Sequence, residues 1–123
     1  MLKPPPGEAL GRVESEIRKE KAEALGRVGE RLAQAIRALC LMRDEVHALE
    51  SGRAGPADGA DPAKAAVWRR AEYGALRQAA QRYRHYLIIQ REALGFRKHG
   101  DVDRLYPIPD PLRAPRAARV ERL

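Results

Sequence analysis

Five basic residues, Arg70, Arg77, Arg84, Arg91 and Lys98, recur at a strict spacing of seven. On a helix that spacing returns to one heptad position, so the first four form a column of guanidinium groups that could follow phosphates or pair with carboxylates on another helix. Glu16, Glu23, Glu30 and Asp44 make a second, acidic column, interrupted by Arg37. The two columns are not expected to meet, because the acids lie on the outermost face of their helix. The arginines are therefore expected to be free for solvent, a second subunit or a foreign partner. They and Lys98 are the candidate partner-binding residues. A solvated or dimer-rim role ranks first, since exposed ion pairs contribute only about 0 to 1 kcal/mol.

Other reactive side chains carry less. His47, His85 and His99 have no second histidine or cysteine at ligand spacing, so no metal is expected. Cys40 stands alone beside an apolar seam and reads as an unreactive thiol. Tyr83-Arg-His-Tyr86 mixes aromatics with cations, as nucleic-acid surfaces do, but both tyrosines fall on the apolar side of their helix. Phosphate-binding glycine loops and nucleophile elbows of the standard forms are absent. No catalytic residue is identified, no cofactor is expected, and the chain reads as a non-enzyme.

The elements that must position these groups follow from periodicity. Leu25, Val28, Leu32, Ala35, Leu39, Met42, Val46 and Leu49 alternate steps of three and four, the seam of a heptad helix. Helix 1 is expected over about residues 6–50, opening near Pro6 with Glu8 in its first turn. Upstream of the seam the phase shifts, and Glu8-Ala-Leu-Gly-Arg-Val13 recurs as Glu23-Ala-Leu-Gly-Arg-Val28. Gly11, Gly26 and Gly29 each weaken the helix by about 1 kcal/mol relative to Ala, which implies close packing there in compensation.

Residues 51–61, rich in glycine, form a loop ending on the cap pair Asp61-Pro62. Helix 2 follows over about 62–94, with a seam of Tyr73, Leu76, Ala80, Tyr83, Leu87, Gln90 and Leu94. Gln90 is the polar exception, of the kind that fixes register. Gly95 ends the helix, and Asp101 is expected to cap a short turn through Leu105. Tyr106, Ile108 and Leu112 are expected to strap the proline-rich stretch onto the helices, ahead of a second reading as a ligand for another protein. Residues 1–5 read as a disordered N-terminus, residues 6–112 as one helical-hairpin domain with its strap over 96–112, and 113–123 as a basic tail.

The expected fold is all-α: a long antiparallel, coiled-coil-like hairpin. Its apolar faces are wider than two helices can bury, with Ile36, Trp68, Tyr86 and Ile89 left over as candidate dimer-interface residues. A homodimer forming a four-helix bundle is the economical solution. The net charge of +7 lies in the second half, where residues 62–95 carry seven basic side chains against two acidic. The lone cysteine excludes an internal disulfide, and no apolar run reaches the roughly 18 residues of a membrane span, so a cytoplasmic protein without membrane contact is expected. A protein-interaction or scaffolding module ranks first as function. A nucleic-acid-associated protein using the Arg column and the tail ranks second, and an enzyme with a site between helices third.

Overall fold

The computed structural model describes residues 6–114. The expected disorder of residues 1–5 and most of the basic tail lie outside the described residues. Helix α1 spans Pro6–Glu50, α2 spans Pro62–Ala93 and a short α3 spans Gly100–Leu105. The described residues are 76% helical and contain no strand.

Both long helices stop for the same reason. Gly52 and Gly95 take the left-handed conformation at φ 75° and 97°, and two backbone bonds close each end. Arg53 N–H reaches Ala48 O at 3.0 Å and Gly52 N–H reaches Leu49 O at 3.4 Å; Phe96 N–H reaches Arg91 O and Gly95 N–H reaches Glu92 O, both at 3.0 Å. These are Schellman closures, which satisfy carbonyls that a helix end leaves orphaned. Helix α2 begins where Asp61 Oδ1 accepts the Ala63 N–H at 3.1 Å, with Pro62 at the position that needs no donor.

One expected cap is corrected. Helix α3 starts at Gly100 with His99 before it, and no side chain caps it. Asp101 sits inside the first turn, and its carboxylate is taken by Arg91 instead.

The two long helices run antiparallel against each other: Glu45 lies level with Arg69, and Gly29 with Leu87. Leu32, Ala35 and Leu39 of α1 form one buried cluster with Tyr73, Ala80 and Leu87 of α2 and Val102 of α3, while Val46, Leu49 and Ala66 are buried nearer the loop that joins the two helices. Seam residues Leu25, Val28 and Met42 are half-buried against the same cluster. By that alignment Ala93, the last residue of α2, is level with about residue 22 of α1. Residues 7–23 are correspondingly exposed, an overhang of roughly 24 Å beyond the end of α2.

Of the three glycines expected to mark close packing, one does. A Cβ on Gly29 would lie 2.8 Å from Tyr106 Oη, whereas nothing lies within 4 Å of Gly11 or Gly26.

Candidate functional site

The arginine column is engaged inside the chain. After Gly95 the chain turns back, and residues 96–113 run antiparallel to α2 along one edge of the hairpin. Arg91 Nε donates to His99 Nδ1 at 3.3 Å, and its Nη2 donates to Lys98 O at 3.2 Å and to Asp101 Oδ1 at 3.0 Å. Its guanidinium also lies 4.7 Å from the centre of the Phe96 ring, a cation–π distance. Arg84 Nη1 reaches Asp103 Oδ1 at 2.7 Å, and Arg77 Nε reaches Pro109 O at 2.8 Å. Arg70 grips Glu50 with two bonds, at 2.7 and 2.8 Å, and its Nη1 donates to Arg113 O at 2.6 Å. Each seven-residue step along α2, about 10.5 Å, thus meets a later point on the returning strap.

The expectation that the column is free of intrachain partners is therefore corrected. The acceptors come from the strap and from Glu50, not from the acidic column of α1. Three of them are backbone carbonyls, and two of these, Pro109 O and Arg113 O, lie in or beside the proline-rich stretch. Pro107, Pro109 and Pro111 hold the strap extended and supply no N–H, so its carbonyls have no ladder of their own and accept side-chain donors. Tyr73 adds a fifth rung, its hydroxyl donating to Asp110 O at 2.6 Å. Lys98 contributes its carbonyl, while its residue is exposed.

The electrostatics follow this geometry. The bidentate bond from Arg70 holds the Glu50 carboxyl below the usual carboxylate range, against the opposing effect of burial. Burial pushes the Tyr73 phenol up, which keeps its proton on the rung to Asp110. Glu50 and Asp103 are not singled out by the sequence, and Tyr73 is read there only as a seam residue, not as a donor. The paired prolines and the arginine spacing were the signal that could have located their side of the molecule.

Ile36, one of the four candidate dimer-interface residues, lies on the side of α1 that the strap approaches. It shares a seven-residue row with Gly29 and Glu50, of which the first lies under Tyr106 and the second holds Arg70. Ile36 is half-buried against the core cluster that includes Val102. The other three candidates stay outside: Trp68 is 72% exposed, Tyr86 52% and Ile89 49%. Leu41, at 71%, joins them.

These four lie on the opposite edge of the hairpin. That edge is marked by Arg69, which bridges Glu45 of α1 at 3.0 Å and Glu72 of α2 at 2.9 Å. Trp68, Ala75, Arg82 and Ile89 recur there at spacing seven, beside Glu72, Ala79 and Tyr86. Among the described residues nothing covers this side as the strap covers the other.

An open cleft of about 1240 Å³ lies at the hairpin tip, between Glu50, Asp61, Val67, Arg70 and Leu112. Gln90 is half-buried with its Oε1 unpartnered, and His99 Nε2 likewise lacks a hydrogen bond. Among the described residues no group of three or more His, Cys, Asp or Glu side chains could hold a metal ion. No helix among them is long and apolar enough to cross a membrane. Comparison with known proteins finds no matching family model, no match among curated proteins and no match among solved structures.

Proposed function

We propose that the protein is a self-associating interaction module of the cytoplasm, a helical hairpin that pairs with a second copy into a four-helix, coiled-coil-like bundle and serves as a scaffold. The observation that carries this reading is the edge opposite the strap, where Leu41, Trp68, Tyr86 and Ile89 stand exposed on one side of a molecule whose other side is covered. A row of large apolar side chains on otherwise polar helices marks an association site. A nucleic-acid role ranks behind it, because phosphates would have to displace Asp101, Asp103, Glu50 and the strap carbonyls from the arginines.

Light scattering after size exclusion is expected to give twice the 13.8 kDa chain mass at micromolar concentration. Ile89→Glu is expected to shift that mass toward a monomer, since an unpaired charge in an apolar contact is expensive. A wild-type monomer across the micromolar range would overturn the reading.

A further inference from the structure

Helix α1 carries apolar residues where no other described residue packs on it. Leu10, Val13 and Ile17 are 65%, 53% and 44% exposed on the overhang beyond α2. Leu10 and Ile17 continue, every seven residues, through Ala24, Arg31 and Ala38 to Glu45, the acid that Arg69 bonds on the bare edge. Val13 continues in the same way to Leu41. In heptad register the overhang therefore presents its stripe on the same side as Trp68, Tyr86 and Ile89. The phase shift before residue 25 is what turns it there.

The positions along the molecule match those of a second copy. Val28 is the middle of α1 and is level with α2 residues near Leu87, so Tyr86 and Ile89 sit at the centre of the long axis. A two-fold axis through that patch sets each Tyr86 against the partner's Ile89. At 1.5 Å per residue, Leu41 and Trp68 then lie roughly 20 and 29 Å from the axis toward the tip, and Val13 and Leu10 roughly 22 and 26 Å from it toward the overhang. Reversal of one copy brings the two sets together. Arg82, about 8 Å from the axis, falls opposite Glu20 of the second copy at about 11 Å, so the charge on this face pairs as well.

Resting on the dimeric reading above, we propose that the two copies pack antiparallel about Tyr86 and Ile89, with the overhang of each lying across Leu41 and Trp68 of the other. Seven large apolar side chains per chain, each removing on the order of 100 Å² from water, approach the area of about 800 Å² per partner that a standard interface buries. The overhang is then an arm, and the bare tip is its seat.

Cross-linking tests this in the full chain with Cys40→Ser. Leu10→Cys combined with Trp68→Cys places the two thiols on the order of 55 Å apart within one copy, so any disulfide joins two copies. Mild oxidation is expected to yield a covalent dimer from the double variant and none from Leu10→Cys alone. Ile17→Cys with Leu41→Cys is expected to behave in the same way. A twofold mass by light scattering with neither pair cross-linking would overturn the arm and leave the dimer standing. A cross-link through Leu10→Cys alone would mean that the arms pair end to end, and would also overturn it. A monomeric wild type would overturn both readings. Leu10→Glu with Ile17→Glu provides a second measurement, since both sites are exposed in the single copy. It is expected to leave helix content unchanged at nanomolar concentration and to raise the dimer dissociation constant at least tenfold; an unchanged constant would refute the arm.

Discussion

The two long edges of the hairpin are built from similar helices and end up in opposite states. Along one, four arginines and a tyrosine hold a returning strap, Val102 is fully buried, and Gly29 has given up its side chain to let Tyr106 approach. Along the other, Arg69 bridges two exposed glutamates and the large apolar side chains face outward. The same residue type thus does different work on the two sides. Arg70 is 21% exposed and fixed by three bonds, while its neighbour Arg69 is 39% exposed and joined to side chains that are themselves about half exposed. What distinguishes the edges is a supply of acceptors, and the strap brings it to only one of them.

The largest expected difference between the edges comes from placing a charge on each. Val102→Asp is expected to cost more than about 3 kcal/mol, because it buries an unpaired carboxylate. Ile89→Asp is expected to stay within about 0.5 kcal/mol in the single copy. Urea unfolding at nanomolar concentration, where association is negligible, reads both. Equal losses would mean that the strap does not bury Val102 against the hairpin.

A smaller contrast separates the adjacent arginines. Arg70→Ala leaves Glu50 and the Arg113 carbonyl without their donor, and is expected to cost about 1.5 to 3 kcal/mol. Arg69→Ala removes only exposed pairs and is expected to cost under about 1 kcal/mol. The midpoints of denaturant unfolding decide the order, and a larger loss at Arg69 would reverse the comparison.

Two glycines three residues apart sharpen it further. Gly26→Ala meets open space and is expected to stabilise by about 1 kcal/mol through helix propensity. Gly29→Ala meets Tyr106 Oη and is expected to gain nothing or to destabilise. With Tyr106→Phe in the same chain the obstructing oxygen is gone, and the gain of about 1 kcal/mol should return in thermal melts.

The smallest effect is a pH dependence. The folded-state pKa of Glu50 is depressed, so the folded chain binds this proton less readily than the unfolded one. Its contribution is complete above the unfolded carboxylate value of about 4.3 and is lost as pH falls through the lower folded value. Unfolding midpoints from pH 7 to 3 are expected to drop more for wild type than for Glu50→Gln, by up to about 1 kcal/mol. Parallel curves would mean that Arg70 does not hold Glu50.

How much of this was legible in the sequence differs by edge. Leu32, Leu39 and Val46 could be placed in a helix–helix contact from spacing alone, because a seam is a local pattern. The arginine column was equally visible, but its acceptors were not. Main-chain carbonyls leave no mark in composition, and Arg113 O is 43 residues from the guanidinium it binds. The side of α1 that holds Ile36 is no clearer from sequence, because the segment that approaches it is placed by the turn at Gly95, not by any period in α1. Asp101 was misread as a cap because capping is judged from neighbours in sequence, whereas its partner, Arg91, lies across a turn.

The order of the rungs also sets how the strap can close. Arg91 reaches across 10 residues to Asp101, Arg84 across 19 to Asp103, Arg77 across 32 to Pro109 and Arg70 across 43 to Arg113. The entropy lost in joining two points grows with the length of free chain between them. Each rung, once made, leaves only a few free residues before the next. On loop entropy alone, closure is expected to run from the Gly95 turn toward the hairpin tip. The rung between Arg70 and Arg113 is then expected to open before the others, which faster amide exchange at the far end of the strap would show.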